Sequence, residues 1–132
     1  MFHYTVETKA GIEEAVAALE EALKEEQFGV LWRFSIRDKL REKGFDFDRE
    51  FEVLEVCNPQ EAQRVLSHNA MAGYFLPCKI VVYQDEAKTK IGMPKPTIFM
   101  DILNDDPLRE IAANVEARLI KCIDEAANKL NN

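Results

Sequence analysis

Apolar and polar residues change period several times along this chain, and each change marks an element. Phe2, Tyr4 and Val6 alternate with His3, Thr5 and Glu7, which predicts a first strand. From Gly11 to Gln27 the apolar residues fall at Ile12, Ala15, Val16, Leu19, Ala22 and Leu23, a helical stripe. Phe28, Val30, Trp32 and Phe34 then alternate with Gly29, Leu31, Arg33 and Ser35. This second strand carries the heaviest aromatic load, which predicts a central place in the sheet. A short helix over 36–43 is expected to stop at Gly44, since glycine suits a left-handed C-terminal cap.

A third strand is expected over 50–57. Asn58 then caps a helix with Pro59 at its first position and Glu61 at its third, a capping box. Ala62, Val65 and Leu66 give that helix its buried stripe. After Pro77 a fourth strand, 78–84, is too apolar at Ile80-Val81-Val82-Tyr83 to lie at an edge. The polar turn Asp85-Glu86-Ala87 leads to a strand over 88–93. Pro94 and Pro96 then break the chain before a strand over 97–103, and these last three strands predict an antiparallel meander. Asp106-Pro107 opens a long helix with Leu108, Ile111, Val115, Leu119, Cys122, Ala126 and Leu130 on one face.

Strands mixed with hairpins rather than strict βαβ alternation predict an α+β fold over residues 1–132, read as a single domain. The expected build is one twisted, largely antiparallel sheet of about five to six strands. Two long helices pack on one face, and two short helices complete it. The closing helix, about 24 residues, would run ~36 Å, against a radius of gyration of ~14 Å for a domain of this size. Part of that helix, or the sheet face left bare, is expected to pack on a second subunit.

Composition narrows the function classes. No apolar run approaches the ~20 residues that span a bilayer, and the start Met1-Phe2-His3-Tyr4-Thr5-Val6 lacks a signal-peptide pattern. A cytoplasmic protein is expected. The net charge of −7 disfavours nucleic acid and anionic membranes, which need a cationic surface. Much of that acidity (Glu13, Glu14, Glu20, Glu21, Glu25) falls on a solvated face of the first helix. Cys57, Cys78 and Cys122 are odd in number and lack CxxC spacing, so free thiols are expected. There is no Gly-rich phosphate loop, no GxSxG and no HExxH. The residues lean away from an enzyme and name no cofactor.

Two short motifs stand out, Val56-Cys57-Asn58-Pro59 and Leu76-Pro77-Cys78. Together with Phe28-Gly29-Val30-Leu31, Lys79-Ile80-Val81-Val82-Tyr83 and Ile91-Gly92-Met93-Pro94-Lys95-Pro96-Thr97, they resemble the domain-of-unknown-function 302 family. The closing helix around Ile111-Ala112 and Val115-Glu116 also fits. The resemblance covers nearly the whole chain and implies a small α+β homodimer without an established activity. Family members usually carry Gly where Gln27 stands, and many carry Asp where Ser35 stands. One branch has Gly for Cys57 and Leu for Cys78 while keeping Asn-Pro and Leu-Pro. Those two steps therefore read as architectural and the thiols as optional.

The candidate ligand or thiol site comprises Cys57, Asn58, Cys78 and Lys79. Cys57 precedes a capped helix, whose positive end lowers a thiol pKa. The alternative is a small apolar residue ending a buried strand. Cys78 lacks that electrostatic help, and Cys122 lies on an inner helical stripe. If the third and fourth strands are antiparallel, Cys57 and Cys78 lie at one end of the sheet and can meet. If they are parallel, ~20 Å separates them. A Cys57/Cys78/His68 metal site requires the antiparallel case. His3 and His68 otherwise read as surface residues, Trp32 and Phe34 as core or dimer interface, and Asp46, Asp48 and Glu50 as a solvated turn. Three function classes stay open: a small-ligand or metal binder, a thiol redox protein or enzyme using Cys57, and a structural or regulatory interaction domain.

Overall fold

The computed structural model describes residues 1–132. Its strands are β1 (His3–Thr8), β2 (Gly29–Ser35), β3 (Phe51–Cys57), β4 (Cys78–Asp85) and β5 (Lys88–Pro94). Its helices are α1 (Ile12–Glu25), α2 (Ile36–Glu42), α3 (Pro59–His68), α4 (Pro96–Leu103) and α5 (Asp106–Asn131), with a 3-10 segment over Ala70–Phe75. The five strands form one sheet in the order β1-β5-β4-β3-β2, and every neighbouring pair is antiparallel. No helix is long and apolar enough to cross a membrane.

Alternation along the strands decides what each face does. Leu54, Val56, Ile80, Val82, Ile91 and Met93 all point to one face, with Leu54 opposite Ile80 and Val82 opposite Ile91. Against them pack Ala15, Val16, Leu19 and Leu23 of α1 and Val115, Leu119, Cys122 and Ile123 of α5, in a single cluster of 19 buried residues. Fully burying such a side chain contributes roughly 1.5–3 kcal/mol, so this layer holds the fold together. The Tyr4 hydroxyl donates to Asp124, tying β1 to α5. Gly92 is needed on the opposite face, where a Cβ would stand 2.7 Å from the Thr5 hydroxyl oxygen on β1.

The C-terminal ends of α1 and α2 carry the same cap. After α1, the Phe28 N–H donates to the Leu23 carbonyl and the Gln27 N–H to Lys24. After α2, the Phe45 N–H donates to Leu40 and the Gly44 N–H to Arg41. This double-bond pattern needs a left-handed residue. Gly44 takes it at φ 87° and Gln27 at φ 65°, so Gln27 occupies a glycine position at a steric cost.

Several expectations are corrected. β2 is an edge strand rather than a central one, and Trp32 is 60% exposed. Aromatic load marks an interior strand only when both faces are covered, and here no long helix lies on the second face. The segment 97–103 is helix α4, not a strand: Pro96 sits in its first turn, where a missing N–H costs nothing, and Pro96 and Met100 are buried one turn apart. The closing meander is therefore a β4–β5 hairpin, with β1 rather than a sixth strand pairing on β5. Besides α1 and α5 there are three shorter α-helices, not two. Leu66 is exposed, because α3 packs at the sheet's end and needs only a narrow buried stripe.

The second sheet face carries Trp32, Phe34, Phe51, Val53, Glu55, Lys79, Val81 and Tyr83. Only Val53 of these is buried, and none belongs to the α1/α5 cluster. Phe51 and Tyr83 stack with ring centroids 5.0 Å apart. No long helix lies on this face.

Candidate functional site

A smaller apolar cluster, Val65, Ala72, Met100, Leu108 and Ala112, joins α3, the 3-10 segment, α4 and the start of α5 beyond the end of the sheet. Between this cluster and the sheet lies a cavity of about 370 Å³. Its walls are the end of β3 (Glu55, Val56, Cys57), the start of α3 (Asn58, Glu61, Ala62, Val65) and the start of β4 (Cys78, Lys79). Phe75, Leu76, Pro77, Phe99, Met100 and Ile111 make up half of the rest, and 14 of its 21 lining residues are hydrophobic. Phe75 and Phe99 stack with centroids 5.1 Å apart, and the Leu76–Pro77 bond is cis.

Both cysteine motifs line this cavity because β3 and β4 are antiparallel, with Val56 opposite Cys78. All four candidates, Cys57, Asn58, Cys78 and Lys79, are thereby brought together. The two thiols nevertheless diverge. Cys78 shares the face of Val56 and packs against the α1/α5 core, whereas Cys57, one residue further along, alternates away from it. Two cysteines with side chains directed apart do not bridge without backbone movement. Burial pushes the Cys78 thiol up to about 11, with Cys57 nearby adding to the rise. Burial also raises the Cys57 thiol above its ordinary value. Cys122 is core: its Sγ lies 3.4 Å from the Ala22 carbonyl, and burial lifts its pKa to about 11.

The alternative metal triad is not assembled. His68 Nε2 lies 3.1 Å from Asp105, the cap of α5, and does not line the cavity. No group of three His, Cys, Asp or Glu side chains is placed to hold a metal ion.

Asn58 is the structural keystone of the site. It is 5% exposed; its Oδ1 accepts from the Glu61 N–H at 3.2 Å and its Nδ2 donates to the Glu26 carbonyl at 3.4 Å. The reciprocal half of the expected capping box is absent. Glu61 instead accepts from Arg64 at 2.7 Å and from Arg118 at 2.8 Å. Sequence reasoning missed Arg118 altogether. Its guanidinium also donates to the Glu26 side chain and carbonyl and lies 5.3 Å from the centroid of the Phe28 ring. One α5 residue thus locks the end of α1, the approach to β2 and the start of α3 together beside the cavity. A lone arginine on the polar side of a helix gives no sequence signal for that role.

The family description "Domain of unknown function DUF302" matches residues 4–126 of this chain. The chain belongs to the DUF302 family. A crystal structure of an uncharacterized conserved DUF302 protein from Bacillus stearothermophilus is similar at 58% sequence identity. It superposes with a TM-score of 0.93, with 96% of this chain and 98% of that chain covered. Among curated proteins no relative matches. Within this DUF302 fold, the Ser35 position has a local explanation. Its side chain caps α2, accepting from the Asp38 N–H at 3.1 Å. Asp and Ser serve as N-caps equally well, so replacing one with the other keeps the cap.

Proposed function

We propose that this chain is a single-domain, homodimeric cytoplasmic protein that binds a small, mainly apolar molecule in the cavity at the Cys57/Cys78 end of the sheet. The observation that carries the binding reading is the cavity itself: about 370 Å³, mostly apolar, with Cys57, Asn58 and Lys79 along one side. A volume of that size and character is typical of small-molecule sites. Homodimerisation is supported by the second sheet face, which no long helix covers, and by its exposed Trp32. The three free thiols accord with a reducing compartment. Non-catalytic binding is favoured over thiol chemistry because burial raises all three thiols, and the thiolate is the reactive form.

The test is a fluorescence titration with 1-anilinonaphthalene-8-sulfonate, alongside an Ala62→Phe variant that fills the cavity from α3. Saturable binding to the native chain, lost in the folded variant, supports the reading. Equal binding to both removes it.

A further inference from the structure

Glu55 on β3 and Lys79 on β4 stand directly opposite each other. Neither lies within 4.0 Å of an opposite charge, the other included. Trp32 on β2 stands opposite Glu55 in turn. Trp32, Glu55 and Lys79 therefore form one row across three neighbouring strands, on the face that no long helix covers. The row holds an exposed aromatic anchor beside one acid and one base, both without an ion-pair partner. We infer that a second copy of this chain seats on this face about a two-fold axis passing between Glu55 and Lys79, so that each Glu55 meets Lys79 of the other copy. This rests on the homodimer reading and supplies its surface.

Charge commits the face to that occupant. Two copies carrying −7 each repel over most of their surfaces. A two-fold axis through an adjacent acid and base brings opposite signs into register twice, the self-complementarity an isologous contact requires. Glu55 and Lys79 also line the cavity, so the second copy covers that part of its wall.

The test is the mass in solution of the full chain, measured by light scattering across a dilution series. Glu55→Lys places two lysines against two, and Lys79→Glu places two glutamates against two. Each variant alone should dissociate about tenfold more readily than the native dimer. Mixing the two variants sets the lysines of one chain against the glutamates of the other and restores the dimer. The double variant E55K/K79E restores it within one chain. Emission from the sole tryptophan should shift to shorter wavelength wherever the dimer forms. Recovery on mixing also proves that both variants are folded. A native chain that stays at 15.2 kDa at every concentration overturns the homodimer reading and this surface together. A native dimer whose mass is unmoved by either charge reversal leaves the homodimer standing and overturns this surface alone.

Discussion

The α1/α5 layer and the α3/α4 end of the molecule are built from the same kinds of residue and do different things. The first buries 19 residues in one cluster, with Leu19, Leu23, Leu54, Ile80, Leu119 and Ile123 fully enclosed. The second buries five and leaves a cavity beside them. Close packing stabilises; incomplete packing leaves room. The comparison teaches that close packing and open space are divided between two ends of one helix, since α5 serves both clusters.

That division is open to direct attack. Leu119 and Leu108 lie on the same helix and are both 0% exposed, the first in the large cluster and the second in the small one. Leu119→Ala should cost about 4–5 kcal/mol and Leu108→Ala about 2–3 kcal/mol, the two ends of the range for such truncations. Urea midpoints measure both, and equal losses would dissolve the distinction. Asn58→Ala should come next, at about 1–2 kcal/mol, because it removes a helix cap and a second bond to Glu26. The same variant should weaken probe binding, since Asn58 fixes the cavity wall. Gln27→Gly should stabilise by about 1 kcal/mol, relieving the left-handed strain at φ 65°. Its effect belongs to the α1 side, so probe binding should not change.

The smallest expected effect is on acid. Glu21 and Glu26 are held below the usual carboxylate range by hydrogen bonds from Lys129, and from Lys121 and Arg118. A depressed folded pKa gives stability that is present above the unfolded value of ~4.3 and lost as pH falls through the folded value. Glu21 is solvent-exposed and Glu26 is half-buried beside its cations, so the thermal midpoint should stay level from neutral pH to about 5 and sag only below about 4. A fall already at about pH 6 would point to a group elsewhere.

Much of the fold was legible in residue order. The α1 stripe, the α5 stripe, the Asn58–Pro59 helix start and the Gly44 stop all follow from local rules that tertiary contacts reinforce. The position of Cys57 and Cys78 at one end of the sheet was legible only as a conditional, because strand direction is a long-range property. Two things were not legible. The β2 alternation reads alike for a central strand and for an edge strand with a bare aromatic face. In 97–103, the run Thr97-Ile98-Phe99-Met100 has strand-like residues, and Pro96 with the Asn104 turn made it a helix. The cavity was invisible, since a cavity is what side chains fail to fill.

Native-state hydrogen exchange, with and without the anilinonaphthalene probe, tests the division most directly. Amides of α1 between Ala15 and Leu23 and of α5 between Val115 and Ala126 should exchange only through global unfolding. Amides of α3, the 3-10 segment and α4 should exchange faster, through local opening, and should slow when the probe is bound. Uniform exchange across both regions, or a probe that protects no amide around the cavity, would contradict the account.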